Sequence, residues 1–204
     1  MRLTRDFSPT YATQTTIDNC YAVTIKAVLD ELCKTLNIPN RTNIHKISKL
    51  AGYRFISGVG DTYFAVYNLN QKLLFKLGLE IKRSINTSTT LIERLLDNRL
   101  VSAPIITFSP GYWNEKASGY TVDGNKETEL QHQLIVEDIS GNNIFLFDTY
   151  SNIGDGNPNK IFNKPTFLRL WSEAMNEVTW VEKKGSASTE TASLLSFNNG
   201  DDRG

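Results

Sequence analysis

The sequence predicts an α+β fold in which helices come first and an antiparallel sheet follows. Apolar residues recur at helical spacing in the first half of the 204-residue chain, whereas short β-rich runs separated by turn-forming residues fill the second half. A hydrophobic content of 40% is sufficient for one packed core. Helices followed by strands, rather than alternating with them, are typical of an α+β domain.

Four helices are predicted in the first half of the chain. The longest begins with Asp18 or Asn19 as its N-cap, carries one apolar stripe and ends before Pro39. Cys20 therefore lies in its first turn and Cys33 near its far end. The other predicted segments are helices at 43–51, 61–77 and 88–98 and a strand at 79–84.

Strands dominate the second half of the chain. A β-rich run at 101–108 contains Pro104, so we expect an edge strand or a strand that starts late. A hairpin is predicted with strands at 132–139 and 144–150. Residues 109–130 are expected to form a loop long enough to act as a lid. The remaining segments are a loop at 151–164, a helix at 165–175 and a strand at 178–183.

Composition and charge argue against several classes of protein. Lys and Arg number 22 and Asp and Glu number 22, so no excess of positive charge indicates nucleic-acid binding. No apolar run reaches the ~18 residues of a membrane span, and residues 1–17 lack the apolar core of a secretory signal. With His 2 and Cys 2, the chain suggests neither a zinc site nor a disulfide scaffold.

These observations set the expected organisation and partners of the chain. We expect one domain at 1–183, a flexible tail at 184–204, and no cofactor or metal. Neither a nucleic acid nor a membrane is an expected partner, and the sequence leaves the oligomeric state undetermined. A cytoplasmic location is the default expectation, with a virion or export by another route left open.

The two cysteines differ in their predicted surroundings. If both lie on one helix, roughly 20 Å of axial rise separates them, whereas a disulfide needs Cα atoms within roughly 7 Å. Both are therefore predicted to be free thiols, with Cys33 in the helix body as inert core. Cys20 lies at the helix start, where the positive end of the helix dipole favours a thiolate.

One of the two histidines is predicted to face an aspartate. A hairpin turn centred near residue 140 places His132 opposite Asp148 and also pairs apolar residues across the two strands. Directly opposite residues have Cβ atoms within roughly 5.5 Å, so the imidazole and the carboxylate can hydrogen-bond. Such a carboxylate fixes the tautomer and orientation of the ring. His45 lies on a polar helix face and is expected to be solvated.

These side chains form a candidate nucleophilic site. Cys20 is the candidate nucleophile, His132 the candidate base, and Asp148 the acid that orients the ring. Acyl transfer also needs hydrogen-bond donors for the oxyanion. The backbone N–H of Cys20 can supply one donor, and the side-chain amide of Gln14, six residues upstream, can supply a second.

The order and spacing of these residues resemble a known family. Gln14, five residues and then Cys20 open a long helix; one later strand starts at His132 and the next ends at Asp148. This pattern resembles that of papain-fold cysteine peptidases, and in particular the small bacteriocin-leader peptidases and their stand-alone relatives. The similarity covers about residues 10–183.

The resemblance implies a papain-like cysteine peptidase fold, with N-terminal helices packed on a C-terminal antiparallel sheet. It also implies a peptide or protein substrate and a thioester acyl-enzyme. The implied roles are nucleophile for Cys20, base for His132, orienter for Asp148 and oxyanion donor for Gln14. One departure is Thr149, which follows the aspartate where the family has Pro.

Two other functions are compatible with the sequence. A transglutaminase-like acyltransferase also uses Cys, His and Asp in this order, and residues 132–137 bear some resemblance to its pattern. A catalytically degenerate papain-like fold would instead bind partners or serve a structural role, for example in a virus or mobile element. Tyr21 after Cys20, where the family has Gly, favours this second alternative. Its partner surface would include aromatic residues of the 109–130 loop, Tyr112, Trp113 and Tyr120.

Overall fold

A six-stranded antiparallel sheet forms the middle layer of the fold. The structure is a computed structural model, and it describes residues 5, 7, 20–50, 69–118, 131–150 and 157–185. The strands are β1 Leu79–Ser84, β2 Ile105–Phe108, β3 His132–Ser140, β4 Asn143–Phe147, β5 Asn159–Asn163 and β6 Val178–Lys183. They lie side by side in the order β1-β6-β2-β3-β4-β5.

Helices cover both faces of this sheet. They are α1 Cys20–Thr35, α2 Ile44–Leu50, α3 Phe75–Leu77 after a π-helical turn Asn70–Leu74, α4 Thr89–Asp97 and α5 Lys164–Glu173. One core cluster joins α1 and α2 to the sheet face that carries Ile105 and Ile135. A second cluster joins α4 and α5 to the opposite face, which carries Ile106 and Leu134. The predicted α+β fold is confirmed.

The long helix α1 carries both cysteines and packs one apolar stripe against the sheet. Its predicted N-caps, Asp18 and Asn19, lie outside the described residues. At its other end Asn37 adopts a left-handed φ of 53°, and the Ile38 N–H donates to the Cys33 carbonyl oxygen at 2.8 Å. This Schellman-type turn ends the helix and satisfies a carbonyl of its last turn.

Most other predicted elements are confirmed where the structure describes them. The predicted helices at 43–51, 88–98 and 165–175 correspond to α2, α4 and α5, and the strands at 79–84 and 178–183 correspond to β1 and β6. The predicted helix at 61–77 is described only from residue 69. The predicted tail at 184–204 falls outside the described residues from 186 onward.

The strand after Pro104 lies inside the sheet. β2 starts at Ile105 and pairs with β3 on one side and with β6 on the other. The late start is therefore confirmed, and the edge position is wrong. Proline has no N–H to donate to a strand ladder, but Pro104 precedes the paired residues, and its carbonyl oxygen accepts from the Val136 N–H at 2.8 Å.

The β3–β4 hairpin has a different register from the predicted one. Ser140 pairs with Asn143 around a two-residue turn, so the turn is centred later than predicted. A β-bulge between Val136 and Asp138 shifts the pairing again. An extra residue of this kind has no signature in an apolar pattern, which explains the error.

The predicted direct pairing of His132 with Asp148 is therefore wrong. Ile135 pairs with Phe147, and continuing this register makes His132 and Asp148 diagonal neighbours on one sheet face. Diagonal neighbours are typically about 7–8 Å apart, which long side chains can still bridge. The predicted contact survives the error because a two-residue shift leaves both side chains on the same face.

The segment predicted as a loop at 151–164 contains a strand that the sequence did not reveal. β5 pairs with β4 at the edge of the sheet, and only Lys160 and Phe162 in it are buried. Its three other residues include two asparagines, which are depleted in strands. Pairing with β4 thus outweighs a weak local preference.

The segment predicted as a lid is partly core. Pro110–Asn114 and Lys116–Ser118 form short 3-10 helices. Tyr112 is 0% exposed and Trp113 is 3% exposed, and both belong to the second core cluster. They therefore offer no open partner surface, which corrects the interpretation of these two aromatic residues. Residues 119–130 lie outside the described part of the chain.

Candidate active site

Cys20 is the first residue of α1 and is half-buried. One turn later, the fully buried Thr24 donates its hydroxyl to the Cys20 carbonyl oxygen at 2.8 Å. The same hydroxyl lies 3.4 Å from the side-chain oxygen of Gln133. Because Gln133 follows His132 on β3, this contact ties the first turn of α1 to the strand that carries the imidazole.

His132, the first residue of β3, connects the thiol to the carboxylate. Its Nε2 lies 2.8 Å from Asp148 Oδ1. The Cys20 side chain is close enough to the ring to raise the pKa of His132. With Nε2 directed at Asp148, Nδ1 is the ring nitrogen available to the sulfur. The imidazole thus lies between a thiol and a carboxylate, which is the order that nucleophilic catalysis requires.

Asp148 follows the last residue of β4 and is 0% exposed. Its Oδ1 also accepts from the Tyr150 N–H at 2.9 Å, and its Oδ2 accepts from the Tyr112 hydroxyl at 2.5 Å. Its own N–H donates to the Pro158 carbonyl oxygen at 2.8 Å. Both carboxylate oxygens therefore have donors, so the side chain is fixed in orientation.

Aromatic rings surround the imidazole. The Tyr112 ring stacks on His132 with centroids 5.2 Å apart and planes at 28°. Trp113 lies closer, at 4.8 Å, and Tyr150 approaches edge-on at 6.2 Å. His132 is consequently only 1% exposed, and its contact with Asp148 is shielded from water.

The surroundings of His132 change its pKa in opposite directions. Burial lowers the pKa, whereas the charge and hydrogen bond of Asp148 and the contact with Cys20 raise it. The balance raises the pKa of His132 to about 9 from an ordinary 6.5. The ring is therefore an imidazolium at neutral pH.

The pKa of Asp148 is shifted in the opposite direction from that of His132. Burial on its own raises the pKa of this carboxyl. The charge of His132 and the hydrogen bonds from His132, Tyr112 and Tyr150 outweigh burial and hold the pKa below the ordinary 3.8. A buried ion pair thus lies next to the thiol.

Cys33 and His45 are placed as predicted. Cys33 is a free thiol, 2% exposed, and burial raises its pKa to about 11. His45 is exposed on α2. Neither lies with the candidate site, so Cys20 and His132 are the thiol and imidazole that the structure brings together.

The structure thus brings together three of the four predicted site residues, Cys20, His132 and Asp148. Gln14, the fourth, lies outside the described residues, as does Tyr120. Sequence reasoning did not assign Tyr112, Trp113 or Tyr150 to the site. The sequence does carry one signal for Tyr112 and Trp113, because they are two adjacent aromatic residues shortly after a buried strand. A buried His–Asp pair needs apolar cover of this kind.

Neither a metal-binding cluster nor a membrane-spanning helix occurs among the described residues. Within the described ranges, no cluster of three or more His, Cys, Asp or Glu side chains could hold a metal ion. In the same residues, no helix combines the length and apolar character that crossing a membrane requires.

Comparisons with known proteins give a likeness in fold. No protein-family model matches the chain, and no curated protein matches its sequence. Among solved structures, the chain is similar to the peptidase domain of Streptococcus ComA, a bi-functional ABC transporter involved in a quorum-sensing pathway. The TM-score is 0.50 at 17% identity, over 85% of this chain and 97% of that chain. At this identity the likeness shows the fold alone, and that fold is papain-like.

Proposed function

We propose that this chain is a cysteine peptidase or a closely related amide hydrolase that acts through Cys20, His132 and Asp148. The observation that carries the proposal is the position of the His132 ring, which is hydrogen-bonded to Asp148 and close enough to the Cys20 side chain for that side chain to raise the pKa of the ring. The likeness in fold to a peptidase domain supports the same class of activity.

The first half of the proposed reaction forms a thioester. The Cys20 thiolate attacks the carbonyl carbon of the substrate amide, and a C–S bond forms. The C–N bond then breaks, and the His132 imidazolium delivers its proton to the departing amine nitrogen. The amine leaves, and the acyl group remains on Cys20 beside a neutral His132.

The second half releases the acid. Neutral His132 takes a proton from water while the water oxygen adds to the thioester carbon. The C–S bond breaks, the carboxylic acid product leaves, and the thiolate and imidazolium are restored. Asp148 stays ionised throughout and holds the imidazole in place, as the acid of a Ser-His-Asp triad does.

Both halves develop negative charge on the substrate carbonyl oxygen. The N–H of Cys20, at the start of α1, is directed away from the helix body and is one proposed donor. The side-chain amide of Gln14 is the proposed second donor. We further propose that the substrate is a peptide or protein, the class that the name of the ComA peptidase domain implies for its own substrate.

The test compares two single-thiol variants on a peptide library, with new termini read by mass spectrometry. Cys20→Ala should lower hydrolysis by a factor of about 10⁴ or more, because it removes the covalent route. Cys33→Ala is the matched control, since it removes a thiol from the same helix, and it should hydrolyse at the wild-type rate. Wild-type hydrolysis by Cys20→Ala contradicts the proposal.

Two further results would favour the alternatives. Preferential transfer of the acyl group to an added primary amine, rather than to water, would assign a transglutaminase-like acyltransferase. The absence of both peptide cleavage and covalent capture of Cys20 by a peptidyl vinyl sulfone would favour the degenerate, binding fold.

A further inference from the structure

Tyr112 contacts both members of the buried ion pair. Its hydroxyl donates to Asp148 Oδ2 at 2.5 Å, and its ring stacks on His132. We propose that Tyr112 is a positioning residue that keeps Asp148 ionised and oriented, and thereby fixes the orientation of His132. This inference rests on the proposed function, in which Asp148 holds the imidazole during acyl transfer.

The contacts of Asp148 divide between its two oxygens in a way that gives Tyr112 this role. Oδ1 accepts from His132 Nε2 and from the Tyr150 N–H, whereas Oδ2 accepts from the Tyr112 hydroxyl. Rotation of the carboxylate about its Cβ–Cγ bond would break all three contacts together. The phenol therefore keeps Oδ1 directed at the imidazole.

Tyr112 can act as a rigid donor because the second core cluster holds its ring. Its ring lies 5.6 Å from that of Phe108 and 5.9 Å from that of Phe162. Its N–H donates to the Ser109 carbonyl oxygen at 3.0 Å at the start of the Pro110–Asn114 turn. The hydroxyl thus has a fixed position set by packing on the face of the sheet away from α1.

The phenol acts on a carboxylate that water does not reach. Asp148 is 0% exposed, so removing the hydroxyl leaves a buried anion with one donor fewer. Among the residues that the structure describes, the titratable side chains of Cys20 from α1 and Tyr150 after β4 also face the pair. A hydrogen bond to a charged group is strong. Its loss should therefore raise the pH at which Asp148 is half protonated by about one to two units.

The first experiment is a titration of the Asp148 carboxyl carbon by NMR in wild type and Tyr112→Phe. We expect the midpoint of the variant to lie about one to two pH units higher. The pH below which alkylation of Cys20 slows should also rise, because the imidazolium loses its counter-charge when Asp148 is protonated. Ile92→Val weakens the same core cluster from α4 but keeps the phenol and its contacts with Phe108 and Phe162, so it should leave the Asp148 midpoint unchanged.

A second variant keeps the test informative if Tyr112→Phe folds poorly. Site-specific 3-fluorotyrosine at position 112 retains the ring and makes the hydroxyl a stronger donor, so the Asp148 midpoint should fall. Unchanged midpoints in both Tyr112 variants, or an equal shift in Ile92→Val, would overturn the positioning role. The titration needs no substrate, so it is independent of activity. A shifted midpoint together with wild-type hydrolysis by Cys20→Ala would contradict the proposed function but support the positioning role of Tyr112.

Discussion

Cys20 and Cys33 are two thiols on one helix with opposite surroundings. Cys20 is half-buried at the first residue of α1, and its side chain interacts electrostatically with His132. Cys33 lies near the other end, 2% exposed, and burial raises its pKa to about 11. Position on the helix and neighbouring charge, rather than residue type, therefore decide which thiol can act as a nucleophile.

The difference arises from what each end of α1 meets. The Cys33 end packs into the first core cluster, where burial and the charge of Asp30 disfavour a thiolate and the charge of Lys26 offsets them only in part. The Cys20 end meets the start of β3, where Asp148 keeps His132 protonated. The reactivity of Cys20 should therefore depend on residues that are distant in sequence, while that of Cys33 should not.

The largest expected effect comes from removing the imidazolium. His132→Ala should slow alkylation of Cys20 by iodoacetamide at pH 6 by about 100-fold or more, because an adjacent imidazolium is a main source of thiolate character in a cysteine. The rate at Cys33 should not change. Mass spectrometry of the two cysteine-containing peptides measures both rates in one sample.

His45→Ala is the matched control, since it removes an exposed histidine outside the site. It should leave the ratio of the two labelling rates at its wild-type value. If His132→Ala alters Cys20 labelling no more than His45→Ala does, the thiol and the imidazole are not coupled.

A second, slightly smaller effect concerns stability against pH. The pKa of His132 is about 9 in the folded chain against an ordinary 6.5, so the folded state binds the proton more tightly. The resulting stabilisation is fully present below pH 6.5 and is lost as the pH rises through about 9. We expect the free energy of unfolding to fall by about 3 kcal/mol over this interval because of this group.

Urea unfolding of wild type and His132→Gln across that pH range measures the effect. The variant has no group titrating at this position, so its stability should fall less steeply than that of wild type. Parallel pH profiles for the two proteins would be incompatible with a strongly raised pKa at His132.

The smallest effect is expected at the other end of α1. Cys33→Ala removes a buried sulfur and should lower the free energy of unfolding by about 1 kcal/mol, without changing Cys20 labelling or hydrolysis. Chemical denaturation and the labelling assay together check this. A loss of Cys20 reactivity in Cys33→Ala would mean that the two ends of the helix are not independent.

The sequence predicted most of the elements, and that Cys20, His132 and Asp148 lie together, because these signals are local. Apolar periodicity places α1, a cysteine at a helix start indicates a nucleophile, and alternating runs place β3 and β4. The His132–Asp148 contact was predicted on a wrong register and survives because both residues share a sheet face. Local patterns are therefore sufficient to predict the order of the elements and the sheet face on which a residue lies, but not the register of the strands.

The remaining features depend on contacts between distant segments. The bulge that shifts β3 has no apolar signature, and β5 forms because β4 offers an edge to Lys160 and Phe162. Tyr112 was predicted on a lid or partner surface, yet its environment is set by β2, β5 and His132. Phe162 and His132 belong to segments that are distant from Tyr112 in the sequence, so no local pattern reports these contacts.

The most direct test of whether His132 activates Cys20 is the ratio of the labelling rates at Cys20 and Cys33 in the wild-type chain near pH 6. A thiolate held beside the His132 imidazolium should react at least about 100 times faster than a buried, protonated thiol. Equal and slow alkylation of the two cysteines would contradict the account, because it would leave no activated nucleophile on α1.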